Sequence, residues 1–229
     1  MSIEHNVFTP SSIRHEEVLL KDHPFSAFLL LKSFVRTESE SSRDVLSSAL
    51  SIGFIGPAAF GKEMQTSIHT WLDNLLPLGW DHQIRNDLLL NYQVNYERRF
   101  VMVPGTFHLA GVTSVNAGTL RDDISAGAQF KLGKFYESPD SRSSVFLFGK
   151  SVVNCNFYNS VLSGGVFNRK SEYVLPSEEI NLLKLQHTLG VNIKIRKFTF
   201  EYFQSYVSKE FKSGMSHRYG GISIGYSFF

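Results

Sequence analysis

Several features that are common in proteins are scarce or missing in this 229-residue chain. It has a single cysteine, Cys155, so an intramolecular disulfide is excluded and a cysteine-built metal site is disfavoured. Its formal net charge is only +2, which predicts no nucleic-acid partner. No apolar run approaches the roughly 20 residues that a membrane-spanning helix needs. The chain is therefore either soluble or crosses a membrane as β-strands, which also satisfy the backbone in lipid.

The first residues also lack the parts of a secretion signal. Met1 to Phe8 has no basic flank, no apolar centre and no small-residue cleavage site. Instead, Ile3, His5 and Val7 alternate with the residues between them, so the segment resembles the second half of a strand. We expect one domain over residues 1–229 whose sequence begins inside its fold.

Aromatic residues, by contrast, are abundant at 14% of the chain. In the clearest alternating run, residues 88–97, large apolar side chains alternate with Asn91, Gln93 and Asn95. Large aromatic side chains suit a lipid-facing surface, whereas small and amide side chains suit a crowded, hydrated lumen. Strands of about 9–11 residues match a membrane crossing. These patterns predict an all-β, antiparallel transmembrane β-barrel, and a soluble β-sandwich is the weaker alternative.

The same alternation predicts about ten strands, joined by links that alternate in length. Short periplasmic turns and long extracellular loops are typical of outer-membrane barrels, as is a final strand that ends in an aromatic residue, here Phe229. The link at 133–144 is long where a short one is expected. The other short links are predicted at 36–44, 98–104 and 196–197, and the long ones at 9–24, 56–87 and 156–179.

One stretch interrupts the β pattern. After a strand at 45–55, Gly56 and Pro57 break the ladder, and from Gly61 the apolar residues follow a period of about 3.6. This predicts a short amphipathic helix in an extracellular loop. On the polar side of that helix, Gln65 and His69 lie four residues apart and are therefore adjacent. A solvated or capping histidine is the commoner role for such a residue, and a general base is the alternative. The apolar face comprises Met64, Ile68, Trp71, Leu72 and Leu75.

These residues resemble the outer-membrane lipid A deacylase family (LpxR-like proteins). The match lies in the run from Gly53 to His69, which contains G-F-I-G-P and G-K-E-M-Q-T-S-I-H, and in W-D-H-Q-I-R-N from Trp80 to Asn86. The resemblance covers the chain from residue 2 onward. Upstream, N-V-F-T-P-S at 6–11 and P-F-S-A-F at 24–28 are similar to the family's second external loop.

The resemblance implies a barrel enzyme that removes an ester-linked acyl chain from lipid A of lipopolysaccharide, with calcium assistance. His69 corresponds to the family's essential histidine, the general base that activates water. Gln65 and Glu63 fall on neighbouring positions of the catalytic motif. Either Arg14 or His15 corresponds to a basic residue that assists the site. The candidate substrate-binding residues are therefore Arg14, His15 and Lys62.

The resemblance also implies a difference from the family. Its members have twelve strands and begin with two that this chain lacks, so calcium ligands are expected in a missing N-terminal segment. We expect a monomer in the outer membrane of a Gram-negative bacterium, in an inactive or incomplete form. The alternative function is a non-catalytic outer-membrane barrel, a pore or a surface-binding protein that keeps the family scaffold.

Overall fold

A computed structural model describes residues 1–38, 43–135 and 143–226. These residues form one curled antiparallel sheet of ten strands, in which every strand pairs with its neighbours in sequence. The predicted all-β antiparallel architecture and strand number are therefore confirmed. The strands are β1 (Ser2–Phe8), β2 (Ser26–Glu38), β3 (Asp44–Ile55), β4 (Asp87–Val103), β5 (Phe107–Gly118), β6 (Arg121–Lys134), β7 (Ser143–Asn159), β8 (Leu183–Ile195), β9 (Phe198–Val207) and β10 (His217–Tyr226).

Helices are confined to the connections between strands. Helix α1 (Gly61–Trp71) follows β3, where the change of period predicts it. Helix α2 (Ser160–Ser163) follows β7 and was not predicted, because four residues are too few to show a helical period. No helix within the described residues is both long enough and apolar enough to span a membrane. Short 3-10 turns occur at Pro57–Ala59, Trp80–His82 and Ser177–Glu179.

The two faces of the sheet differ as the alternation predicts. On the outer face, cross-strand neighbours are large and apolar, as where Ile52 of β3 pairs with Leu90 of β4 and both side chains are exposed. On the inner face, polar side chains bond across strands, as where Lys32 Nζ donates to Gln93 Oε1 at 3.0 Å. The polar residues of the alternating runs therefore line the inside of the curl.

Long connections gather at one end of the sheet, which we call the long-loop end. One exception is the link between β5 and β6, residues 119–120, which is a tight turn at this end. The predicted links at 36–44 and 133–144 lie partly outside the described residues, and Phe229 lies wholly outside them. The long connections are residues 9–25, 56–86, 160–182 and 208–216.

Two apolar clusters lie at the long-loop end, one on each face of the sheet. The inner cluster fills the mouth of the curl and includes Phe28 and Leu30 of β2 together with Leu162 and Leu175 of the 160–182 connection. The outer cluster consists of Phe25, Ala27, Ala59 and Trp80, with Val7, Ile13 and Leu29 packed against it. The long connections therefore pack against both sides of the wall.

Strands β1 and β10 are the two edges of the sheet, and no pairing joins them within the described residues. Two connections cross this gap at the long-loop end. The Ser213 hydroxyl donates to the carbonyl of Lys21, and the rings of His23 and Phe211 meet edge-on with centroids 6.5 Å apart. These contacts tie the 9–25 connection to the 208–216 connection.

Candidate functional site

Helix α1 packs on the outer face of β1 and β2. Gly61 allows this contact, because a Cβ atom at that position would overlap the Cβ of Ala27 and lie 2.9 Å from the ring of Trp80. Trp80 is itself buried against Phe25, with ring centroids 4.9 Å apart. Phe60, directly before the helix, has a left-handed backbone (φ 58°) that turns the chain into α1. The start of the helix is therefore fixed tightly against the wall.

The two sequence runs that predict a site are brought together in space. Trp80 Nε1 donates to Gln65 Oε1 at 2.8 Å, and the backbone N–H of Ala58 donates to Asn86 Oδ1 at 2.7 Å. Gln65 lies one helical turn before His69, as its spacing predicts. Its amide oxygen holds α1, the helix that carries His69, to the segment that contains Trp80.

His69 lies near the C-terminal end of α1 and is partly exposed. Its Nδ1 makes a short hydrogen bond to the backbone carbonyl of Leu75. A carbonyl oxygen only accepts, so in the neutral ring Nδ1 carries the proton and Nε2 keeps its lone pair. Asn74 holds the turn in place, since its N–H donates to the carbonyl of His69 at 2.8 Å and its Oδ1 accepts from the N–H of Leu75. Nε2 is therefore the ring nitrogen that can accept a proton.

Glu63 and Lys62 lie in the first turn of α1, and both side chains are exposed. Lys62 Nζ bonds to Asp81 Oδ1 at 2.7 Å, and this hydrogen bond lowers the pKa of the Asp81 carboxyl. Glu63 precedes His69 by six residues, which places it about 9 Å away along the helix axis and on a different face. A carboxylate in a first turn is stabilised by the helix dipole, which gives Glu63 a structural role that needs no substrate.

The predicted basic residues Arg14 and His15 lie beside the segment that follows α1. The N–H of Leu78 donates to the carbonyl of Ile13 at 2.7 Å, and Gly79, with φ 86°, packs against the backbone of His15. Both basic side chains are exposed. They share the end and the side of the wall on which α1 lies, so the structure leaves both as candidates.

Sequence reasoning missed the residues that connect this region to the 160–182 connection. His82 Nδ1 bonds to Glu172 Oε2 at 2.8 Å, and this hydrogen bond raises the pKa of His82. Asp87, the first residue of β4, accepts from the N–H groups of Phe167 and Asn168 at 2.8 and 3.1 Å. These partners are about 80 to 90 residues away in sequence, so no local pattern points to them.

The predicted apolar face of α1 is present, but it is not buried by the protein. Trp71 is 83% exposed, and its apolar neighbours are exposed by a third to a half or more. A contiguous apolar patch of this kind marks a site for lipid or for a protein partner. The patch consists of Met64, Ile68, Trp71, Leu72, Leu75, Leu76 and Leu78.

The profile of the family described as "Outer membrane protein LpxR" matches residues 1–228. This chain belongs to the LpxR family. Among solved structures, LpxR from Salmonella typhimurium is similar, with a TM-score of 0.88 and 20% sequence identity over 99% of this chain and 82% of that chain. At this identity the likeness shows the fold. A search of curated proteins gives no match.

The calcium predicted for an LpxR-family site can be compared with the side chains around His69. Calcium takes about six to eight oxygen ligands, commonly from several carboxylates. Within residues 1–38, 43–135 and 143–226, no three His, Cys, Asp or Glu side chains are grouped so that they could hold a metal ion. The carboxylate of Asp81 is already paired with the ammonium group of Lys62. The described residues therefore do not form a carboxylate site for calcium.

Proposed function

We propose that this LpxR-family protein is an ester hydrolase that removes an acyl chain from lipid A in the outer leaflet of the outer membrane of a Gram-negative bacterium. The observation that carries the proposal, and that favours activity over the inactive form expected from the sequence, is the geometry of His69. Its Nδ1–H is held by the Leu75 carbonyl, which leaves Nε2 to accept a proton, and its helix lies outside the wall beside an exposed apolar patch. At this position both a lipid substrate and a water molecule can contact the imidazole.

The outer face of the sheet supports the placement in a membrane. Its half-exposed aliphatic and aromatic residues suit contact with acyl chains, and long loops at one end are typical of the external side of such proteins. On this placement α1 lies at the external interface, because it packs on the long-loop end of β1 and β2. Trp71 and Ile68 then enter the headgroup region of the bilayer and bring His69 level with the acyl esters.

The reaction follows from the tautomer of His69. Nε2 takes a proton from a water molecule, whose oxygen attacks the ester carbonyl, while the Leu75 carbonyl stabilises the positive charge on the ring through Nδ1–H. The C–O bond of the ester then breaks, and the departing alkoxide takes the proton from Nε2. The products are a fatty acid and a lipid A with one free hydroxyl. We assign stabilisation of the developing oxyanion to Arg14 or His15.

Calcium assistance remains a prediction from the family alone. It is tested by adding a chelator to the purified protein and then restoring calcium in excess. Loss and recovery of acyl release would establish the requirement, whereas unchanged release in the chelator would remove calcium from the mechanism.

The function is tested by incubating the purified protein with lipid A in detergent and following the loss of one acyl chain by mass spectrometry. His69→Ala is expected to abolish release while the barrel stays folded, as judged by circular dichroism. His217→Ala, which removes an exposed histidine outside the site, is the matched control and is expected to release acyl chains normally. Intact lipid A with the folded wild-type protein would reject the hydrolase.

A non-catalytic barrel remains the second candidate. It is favoured by Gln65 and Asn86, which belong to the two runs that resemble the family. The side-chain oxygens of both residues accept hydrogen bonds from other parts of the protein, so neither residue needs a substrate to explain it. This candidate predicts that the wild-type protein binds lipid A without changing its mass, and that His69→Ala binds equally well.

A further inference from the structure

A row of polar side chains crosses the outer face of the sheet, far along the chain from α1. Ser151 of β7 pairs with His187 of β8, His187 pairs with Tyr206 of β9, and Tyr206 pairs with Arg218 of β10. Four neighbouring strands therefore present polar groups at the same register on the outer face. Elsewhere on this face the paired residues are predominantly apolar.

The row directly beside it contains small residues. Phe130, Gly149, Leu189, Gln204 and Gly220 are paired in turn from β6 to β10. The ring of Phe130 lies over Gly149, in the space that a Cβ atom there would need. A groove of about 800 Å³ lies along these rows, with the Phe130 ring at its deeper end and Gly220 near its other end, and its volume is in the range of small-molecule sites.

The groove runs obliquely from the rim of the sheet into the wall. Arg218 is the second residue of β10 and lies at the long-loop end, whereas Ser151 lies eight residues below the end of β7. Because barrel strands are tilted by about 35–45°, a row of paired residues descends through the membrane layer. The cationic end of the groove is thus at the external interface and the small-residue end is deeper.

The chemistry of the lining is that of an anion site joined to an apolar channel. Arg218 lies at the upper end and His187 part-way down, and no acidic residue is among the described residues that line the groove. No described carboxylate pairs with Arg218. The phenol of Tyr202 accepts from Gln204 Nε2 at 2.8 Å, and the ring of Tyr206 stacks on that of His187, with centroids 6.2 Å apart. Polar groups facing lipid are costly unless something satisfies them.

We propose that this groove binds one lipid A molecule as a ligand separate from the substrate at His69. A phosphate of the lipid pairs with Arg218, His187 donates to the lipid further along the groove, and one acyl chain lies along Phe130 and Leu189. Lipid A fits this charge pattern because it carries phosphate at the external interface and acyl chains below it. The inference rests on the proposed function for its membrane placement and its lipid, and it does not require hydrolysis.

The test counts the lipids that stay bound to the purified full chain by native mass spectrometry. The protein carries His69→Ala so that lipid A is not consumed, and lipid A is added in detergent. Arg218→Gln removes the phosphate partner, and Ser151→Leu fills the deeper end. Arg218→Gln is expected to lower the occupancy of the groove lipid about tenfold, the effect of losing one charge-assisted contact, and Ser151→Leu is expected to lower it by blocking the acyl chain.

Matched controls place the same substitutions on the outer face outside the groove. Arg98→Gln is on the outer face of β4, and Ser33→Leu is on that of β2. Both are expected to keep wild-type occupancy. Equal occupancy in all variants would overturn the proposal. Retention of phosphatidylglycerol as strongly as lipid A would overturn the choice of lipid, and a lipid-free dimer broken by Ser151→Leu would show a second copy as the occupant.

The two proposals can fail separately. Acyl release by the wild-type protein, with no effect of Arg218→Gln on bound lipid, would reject the groove and keep the hydrolase. Groove binding that depends on Arg218 and Ser151, with no acyl release by the wild-type protein, would keep the groove and reject the hydrolase.

Discussion

Trp80 donates its indole N–H to the amide oxygen of Gln65 across 2.8 Å, joining a buried ring under helix α1 to the helix itself. Both residues belong to the sequence runs that resemble the lipid A deacylase family. Their bond makes those runs one structural unit, in which the second run supplies the surface on which the first run's helix lies. The position of His69 is therefore determined by a residue that follows it by eleven positions in the chain.

Replacing Gln65 with Leu should destabilise this unit. The buried N–H of Trp80 would be left without an acceptor, which costs about 1–3 kcal/mol. We expect a lower unfolding temperature, a shift in tryptophan emission and reduced acyl release. Ser67→Ala, an exposed change on the same helix outside the first turn, is the control and should not lower the unfolding temperature. Normal release by Gln65→Leu would mean that the bond does not position His69.

Gly61→Ala should push α1 away from the wall, because the new methyl group overlaps the Cβ of Ala27. Overpacking of this kind typically costs about 1–3 kcal/mol. Adding Ala27→Gly removes the opposing methyl and should restore part of the lost stability, as measured in a double-mutant cycle by thermal unfolding. Additive losses in the double variant would show that the two positions do not meet.

Stability should fall as the pH drops below about 6.5, the ordinary pKa of histidine. Burial lowers the pKa of His23, although nearby groups including the Pro24 carbonyl and Glu210 oppose the shift. Protonation therefore favours the unfolded chain, and stability present above pH 6.5 is lost as the pH falls toward the lowered pKa. The Nε2 atom of His23 is buried without a partner, so a proton there would be unsatisfied.

This dependence is measured by thermal unfolding between pH 7.5 and pH 5.5. Glu210 does not interfere in that window: burial raises the pKa of its carboxyl, but Lys184, His23 and His217 together lower it below the usual value of 4.5. His82, with its raised pKa, acts in the opposite direction, but its pair with Glu172 is exposed and weak. His23→Phe should flatten the pH dependence. If the unfolding temperature of His23→Phe depended on pH as steeply as that of the wild-type protein, the effect would come from another group.

Asp87→Ala should release the 160–182 connection from the start of β4. The carboxylate accepts from the N–H groups of Phe167 and Asn168, and both donors lose their partner in the variant. Trypsin should then cut faster after Arg169 or Lys170, which follow directly. Asp122→Ala, which removes a carboxylate bonded to Gly118 in the β5–β6 turn, is the control and should leave the cleavage rate in that connection unchanged.

The fold was predictable because its signals are local. Alternation along 88–97 gives β4, and the change of period at Gly61 gives α1, since each pattern needs only neighbouring residues. The arrangement of the candidate residues was predictable in part. Helical spacing places Gln65 and His69 side by side, but the tautomer of His69 depends on the Leu75 carbonyl, which carries no sequence signal. Asp87 and the polar row from Ser151 to Arg218 were missed because strand register places them, and register depends on long-range pairing.

The nearest-neighbour order of the ten strands determines how the protein can assemble. Each strand finds its partner next to it in sequence, so the sheet can grow one hairpin at a time, and the closures differ mainly in the length of the loop that they span. The pairing of β3 with β4 is different, because it must close over residues 56–86. The connection that carries His69 is thus the longest loop that must close during folding. We therefore expect α1 to become ordered as β4 pairs with β3.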